Sequence, residues 1–589
     1  MKMEFLLLWF TALGVAHATE AGHFRRDPLA VPDSKKHTVS LSHYPLHNPN
    51  PQGWYQSVAN VAAARGGSLI AVYRLSDCHT ALQTYIMTAR SEDGGRTWKD
   101  HRPIASANVW VEKGAWIAPQ LTALKDGRLV VICDFGKRSP SQDWPMLSQW
   151  QKRDRGMSNH LFWSNDNGRT WSGPQKIDDV GGEPSYIAEF SDGTLAFTRT
   201  SSAESLLLKN PPQPWGNIYY RSEIVFSRDG GKTWKSGGWL ADSPFHGDCE
   251  VGLADLGGGR VLAASRIGFG LGRFGHPSRL FTSRDYGRTW EKPVLAPFYG
   301  HRIHIGRLKS GRLLATFRNF WGSPGSRALV FDADESLGFQ PTSWIVEEDR
   351  CELTSDALTL RTANGKRGAV EFSLYPAQDD QSRVEVHATL RVESAEKHAV
   401  AISAGCWVQF ATNRVFLGDR PAAGFDFDTT GWHDYRILRE KGRIRIFADG
   451  VERLNEPLGN LWVRHVRFGN RAVTEAKGSM NADRQPYSLN AGVSHWRALR
   501  VKVDNALEDS IDWRWTPAQG YPDQFRRDRI VTLDHAYFAD CGYSSWTQLP
   551  DGKIVILDYT TVHLDSSHSS GVMPFIRAYL VTEEELTRR

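Results

Sequence analysis

Ser91-Glu-Asp-Gly-Gly-Arg-Thr-Trp98 recurs three times with small changes, as SNDNGRTW from Ser164, SRDGGKTW from Ser227 and SRDYGRTW from Ser283. All four obey Ser-x-Asp-x-Gly-x-x-Trp, which describes a tight hairpin. The aspartate accepts backbone N–H bonds across the turn, the glycine takes a positive φ, and the tryptophan packs beneath. A recurring unit of this kind predicts a repeat architecture built from small sheets.

A second repeat falls between the first, each copy reading strand, glycine turn, apolar strand. The copies are RGGSLIAVYR from Arg65, KDGRLVVICD from Lys125, SDGTLAFTRT from Ser191, GGGRVLAASR from Gly257, KSGRLLATFR from Lys309 and PDGKIVILDY from Pro550. Six copies imply six sheets. The turn glycines Gly67, Gly127, Gly193, Gly259 and Gly311 step by 60, 66, 66 and 52 residues, close to one four-stranded propeller blade each. The next step, to Gly552, is 241 residues. The excess predicts an insertion in or just after the fifth blade.

Inside that insertion TLRVESAEKHAVAIS alternates apolar and polar residues, and GWHDYRILREKGRIRIFADGVERL reads as strands joined by Lys-Gly and Asp-Gly turns. These features predict an antiparallel sandwich. The Gly-Trp-His-x-Tyr-Arg strand with its following Ile-x-Ile-Phe-x-Asp-Gly hairpin resembles a laminin-G or concanavalin-like jelly roll.

The chain of 589 residues is too long for one ordinary core. Abundant glycine (53) and tryptophan (22) with scarce methionine (7) favours short strands over long helices. The 71 basic and 66 acidic side chains leave a net charge of +5, so no nucleic-acid surface is called for, while a local basic pocket for an anion fits. The opening MKMEFLLLWFTALGVAHATEA has the charge, apolar run and small residues of an export signal cleaved after Ala18. That run is too short to span a bilayer, and no later stretch approaches the necessary length. The six cysteines are widely spaced with no Cys-x-x-Cys pair, so they predict mostly free or buried thiols rather than a metal site.

The octapeptides resemble the Asp-box of the sialidase (neuraminidase) superfamily. The resemblance implies an all-β fold: a six-bladed β-propeller with an inserted β-sandwich. The expected organisation is an export signal at 1–18, blades one to five over 19–335, the jelly roll over 336–512, and the last blade with closure over 513–589. Asp-boxes are structural turns and also occur in propellers without catalysis, so chemistry must come from the mouth of the central channel.

Sialidases bind a sugar carboxylate with three arginines, protonate the leaving group with an aspartate, and attack the anomeric carbon with a tyrosine activated by a glutamate. The segment CGYSSWTQLPDGKI from Cys541 resembles the family's Tyr-Ser-Ser-Leu run, which makes Tyr543 the nucleophile candidate. CEVGLADLGGGRVLAASR from Cys249 has the Glu, hairpin, Arg order, pointing to Glu250 as base and Arg266 as a carboxylate ligand. Glu183 and Arg199 in the third blade share the same spacing of 16 and are the rival pair. FRNFWGSPGSRALVF from Phe317 resembles the segment that supplies another arginine, pointing to Arg327 with Arg318 as its substitute. Arg74 is at an equivalent place in the first blade, and Arg302 and His304 belong to the same set of channel candidates.

The first blade departs from the family pattern, because Gln56 replaces its arginine and Tyr559 replaces the final-strand glutamate that pairs with it. Asp77, in YRLSDCH, is the candidate acid/base; a turn aspartate is its plain alternative. The implied activity is retaining hydrolysis of a terminal acidic sugar from a glycan, with no cofactor or metal. The rivals are a polysaccharide lyase or a uronate- or rhamnose-linked glycosidase on the same propeller, using Arg302 and His304, and a glycan-binding propeller without turnover. Oligomeric state stays open.

Overall fold

The computed structural model describes residues 38–40, 54–77, 79, 81–137, 156–205, 218–244, 246–267, 278–296, 298, 300–319, 325–335, 343–345, 351–362, 370–374, 381–396, 399–459, 466–470, 472–473, 488–489, 491–504, 510–520, 522, 530–534, 541–560 and 574–587. The expected export segment 1–18 and Cys78 lie outside the described residues. Cys133, Cys249 and Cys406 are buried thiols.

Six antiparallel sheets follow one another along the chain. The first comprises Tyr55–Ala63, Leu69–Ser76, Gln83–Ser91 and Lys99–Asn108. In the second, Gly114–Trp116 and Gln120–Ala123 share one edge of Leu129–Lys137, followed by Met157–Ser164 and Ser172–Lys176. The third and fourth run from Ala188–Glu189 to Lys235–Ala241 and from Asp248–Gly257 to Val294–Leu295.

A ring is visible in the packing. One apolar cluster joins the first and second sheets through Ile70, Val72, Trp116 and Val131, and another joins the second and third through Ile132, Leu161, Ile187 and Phe197. The series continues between the third and fourth, the fourth and fifth, and the fifth and sixth sheets. It closes where Leu69, Tyr73 and Met87 of the first sheet meet Val555, Leu557 and Ile576 of the sixth. Each sheet therefore buries both faces, and closure leaves only the outer edges of the blades uncovered.

Two splices depart from the expected boundaries. The fifth sheet takes His301–Arg307, Leu313–Asn319 and Gly325–Phe331 from before the insertion, and its fourth strand, Ile530–Thr532, from after it. The segment 513–589 thus carries more than the last blade. The sixth sheet comprises Ser545–Gln548, Ile554–Thr560 and Phe575–Val581, completed by the N-terminal strand Thr38–Ser40. Pairing chain-distant strands within one sheet satisfies an edge that would otherwise present unpaired backbone groups, and it ties the ring shut.

Both sequence repeats are turns. The first-to-second strand turn of every blade has its glycine at positive φ, from 84° at Gly67 to 92° at Gly127 and Gly311. Each octapeptide joins the third and fourth strands of blades one to four. In the first, Asp93 Oδ1 accepts the N–H groups of Arg96 and Thr97, Thr97 Oγ1 donates to Asp93 Oδ2 at 2.6 Å, and Trp98 Nε1 donates to Gly95 O at 3.0 Å. The Thr97 hydroxyl bond leads the interactions that pull the Asp93 carboxyl down to about 2.

The inserted segment folds as two large antiparallel sheets, with a two-stranded one formed by Ala472–Val473 and Ser488–Leu489. The seven-stranded one includes Val370–Leu374, Val466–Asn470 and Trp407–Ala411, and the eight-stranded one centres on Arg383–Ala395 and Gly492–Asp504. Alternate residues of Arg383–Ala395, including Val384, Val386, Leu390 and Val392, point into a core shared with Phe410, Phe468 and Trp496. Burial at every second residue is the strand period read from the sequence.

Candidate active site

The turn glycines provide a common register for the channel. Nine residues before them stand Val58, Ala118, Pro184, Glu250, Arg302 and Tyr543, and seven residues after them stand Arg74, Asp134, Thr200, Arg266, Arg318 and Tyr559. In the first, fourth and fifth sheets the inner strand slips register at this position. Val58, Glu250 and Arg302 there adopt φ values of 52°, 49° and 51°. A left-handed conformation costs a non-glycine residue about 1–2 kcal/mol, and bulges of this kind re-aim side chains next to sites.

Tyr543 is at the centre of the resulting cluster. Its Oη donates to Glu250 Oε1 at 3.0 Å and accepts from Arg318 Nη2 at 2.8 Å, with Arg266 Nη1 at 3.5 Å. The Arg318 guanidinium lies 4.0 Å above the ring. Glu250 Oε1 also accepts from Arg266 Nη1 at 2.7 Å, and its Oε2 accepts the backbone N–H of Arg302 at 3.1 Å. Thr200 Oγ1 accepts the Glu250 N–H at 3.2 Å. Three sheets thus converge on one carboxylate.

The electrostatics separate these groups. Burial would raise the Glu250 carboxyl, but the Arg266, Arg302 and Arg318 guanidiniums outweigh it and hold the group below the usual glutamate range. Burial, reinforced by Glu250, pushes the Tyr543 phenol well up despite Arg318. The pair is therefore a neutral phenol hydrogen-bonded to a carboxylate. Arg266 Nε is a buried donor with no hydrogen-bond partner among the described residues. The Arg74 guanidinium binds Ser57 Oγ and the His79 carbonyl, and Arg302 Nη2 binds the Pro184 carbonyl at 2.9 Å. Among the described residues neither has a carboxylate at ion-pair distance, although they are only 7% and 6% exposed. Buried guanidinium groups left in this state favour an anionic ligand.

The rival pair divides. Arg199 stands six residues after its turn glycine, one short of the channel register, and a one-residue slip in a strand sends a side chain to the opposite face. There it binds Asp178 at 2.9 Å and Glu223 at 2.7 Å, which gives it a structural role outside the cluster. Glu183 stands ten residues before the same glycine, partly exposed and at φ 45°, where it feels the charges of Glu250, Arg266 and Arg302.

Five further candidates take these places in the fold. Arg327 lies on the third strand of its blade and donates to the Ser326 and Asp534 carbonyls, so Arg318 is the fifth-blade arginine at Tyr543. Counting seven residues from Gly311 would have selected it. Gln56 lies in the seam between first and sixth sheets, its Oε1 accepting the Ile576 N–H at 3.1 Å and its own N–H donating to Pro574 O. Asp77 Oδ1 accepts the Leu82 and Gln83 N–H groups, which is the turn role. His304 packs at a tilt against Tyr186 with ring centroids 4.3 Å apart, and burial pushes its imidazole down to about 3, so it is neutral. Tyr559, in the place of the missing glutamate, packs edge-on to Tyr543 at 6.0 Å.

No family model matches the chain. Over 280 residues it is 25% identical to a sialidase of Clostridium perfringens, covering 43% of this chain and 66% of that protein. Over 270 residues it is 24% identical to a sialidase of Paraclostridium sordellii, covering 42% and 60%. The matched part therefore spans less than two thirds of these relatives' length. Among solved structures, Trypanosoma rangeli sialidase in complex with the inhibitor DANA aligns with 75% of this chain and 92% of its own, at 11% identity and a TM-score of 0.34. Over about two fifths of its length the chain is thus similar to curated sialidases, in keeping with the resemblance that its repeats carry.

Proposed function

We propose that the protein is an exported, retaining exo-glycosidase that removes a terminal acidic sugar of the sialic-acid type from glycans. The observation that carries this reading is the Tyr543 Oη to Glu250 Oε1 bond, closed in by Arg266 and Arg318. As Tyr543 Oη attacks the anomeric carbon, its proton passes to Glu250. A phenol that stays neutral until that moment avoids the repulsion an anionic nucleophile would meet beside the sugar's own carboxylate. Arg266, Arg318 and Arg74 are the groups that hold that carboxylate. Gln56 supplies an amide where the family resemblance places an arginine, so the anion clamp relies on Arg74 instead.

The test is incubation with a fluorogenic sialoside, alongside uronic-acid and rhamnose glycosides, followed by trapping with a 3-fluorosialosyl fluoride. Release of sialic acid first as the α-anomer, together with a covalent adduct mapped to Tyr543, is the expected result. An unsaturated uronate product, or no turnover and no adduct, would overturn it.

A further inference from the structure

The chemistry above needs a proton donor for the leaving group, and the carboxyl of Asp77 is engaged by two backbone N–H groups of its own turn. Glu183 presents a different arrangement. Its backbone N–H donates to Asp134 Oδ2 at 3.1 Å, and Asp134 is itself fully buried and fixed by the Ala118 N–H at 2.9 Å. The Glu183 peptide is thereby pinned to the second sheet with the residue at φ 45°, while its carboxyl has no hydrogen bond or ion pair among the described residues. A partly exposed carboxyl with no hydrogen-bond or ion-pair partner among the described residues, close enough to feel the charges of Glu250, Arg266 and Arg302, is available to a ligand.

We propose that Glu183 is the general acid/base of this site. The inference rests on the glycosidase reading above and assigns a role within it. The charged groups that face Glu183 are Glu250 and Arg266 of the fourth sheet, Arg302 of the fifth and Asp134 of the second, and its charge also bears on Tyr543 of the sixth. Burial first, and then the Glu250 carboxylate, push the Glu183 carboxyl up to about 8 against the pull of Arg266 and Arg302. Glu250 and Glu183 are thus driven apart by one environment, the first ionised and the second protonated at neutral pH. This is the division of labour that two-carboxyl glycosidases use.

The steps balance. Glu183 O–H gives its proton to the glycosidic oxygen as the bond from that oxygen to the anomeric carbon breaks, and the electron pair leaves with the oxygen. Tyr543 Oη forms its bond to the anomeric carbon and passes its proton to Glu250. Water then attacks the same carbon and gives a proton to the Glu183 carboxylate. The tyrosyl C–O bond breaks, and Tyr543 recovers its proton from Glu250.

The experiment compares wild type, Glu183→Gln and Asp77→Asn on an alkyl sialoside and on an aryl sialoside whose phenol is acidic enough to leave unaided. Expected for Glu183→Gln is a loss of roughly 10²-fold or more on the alkyl substrate with a much smaller loss on the aryl one. Its pH–rate profile loses the alkaline limb, and azide rescues turnover of the aryl substrate. In difference infrared spectra of the resting enzyme at neutral pH, a protonated-carboxyl stretch is present in wild type and absent in Glu183→Gln. Equal losses on both substrates, no loss, or the same leaving-group signature in Asp77→Asn instead would overturn the assignment. A Tyr543 adduct in wild type with any of those outcomes leaves the glycosidase reading standing and removes only this one; no adduct and no turnover in wild type removes both.

Discussion

Tyr543 and Glu250 stand 293 residues apart in sequence and meet at 3.0 Å, bringing the sixth blade and the fourth together across the channel. Neither group has chemistry of this kind alone, since an isolated phenol is a poor nucleophile and an isolated buried carboxylate would take up a proton. The contact depends on ring closure, because Tyr543, just ahead of the strand Ser545–Gln548, follows the inserted sandwich.

Tyr543→Phe keeps the ring packing against Tyr559 and the Arg318 stack but removes the hydroxyl proposed to attack. Steady-state kinetics on an aryl sialoside should show kcat lowered by roughly 10³-fold or more with little change in thermal midpoint. Wild-type turnover in this variant would end the tyrosyl mechanism.

Glu250→Ala removes one partner of a buried ion pair and strands Arg266, at an expected cost of about 3–5 kcal/mol in denaturant unfolding. The double variant Glu250→Leu with Arg266→Met should recover much of that stability and none of the activity. Separating the two readouts distinguishes a catalytic carboxylate from a purely structural one.

Arg199→Met and Arg318→Met test the register argument. The first leaves the Asp178 and Glu223 carboxylates without their shared guanidinium, and should lower stability while kcat/KM stays within a few-fold of wild type. The second should lower kcat/KM on an acidic sugar by about 10²-fold, since a charge-assisted bond to substrate and the bond to Tyr543 are both lost. The reverse pattern would place the binding arginine on the opposite face of the third blade.

Protonation provides a pH test with opposite signs at two residues. The folded state holds Glu250 below its unfolded value, so this group's contribution to stability is present above the usual glutamate range and is lost as pH falls through the depressed value. Glu183 is raised to about 8, so the folded state favours its protonated form. That contribution is full below the unfolded value near 4.5 and is lost as pH rises toward about 8. Denaturant unfolding of Glu183→Gln should therefore lack the decline that wild type shows between these pH values. An unchanged profile would mean that Glu183 ionises normally in the fold.

The repeats alone determined the six-sheet ring and the presence of an insertion, because each copy encodes a local turn: an aspartate bridging its own backbone, a glycine at positive φ. Local geometry of that kind is complete within eight residues and survives any tertiary arrangement. Tyr543 and Glu250 were singled out by the resemblance of their local motifs, and the fold brings the two side chains within hydrogen-bond distance. The division between Arg199 and Arg266 was not legible from their shared spacing of 16, since the face a strand residue takes depends on pairing register. One residue of difference from the turn glycine sent Arg199 outward and placed Thr200 on Glu250. Arg318 over Arg327, the turn contacts of Asp77 and a Glu183 carboxyl without a partner among the described residues were likewise decided only in three dimensions. Which charges meet in the channel depends on which sheets become neighbours when the ring closes, and no local segment contains that distance information.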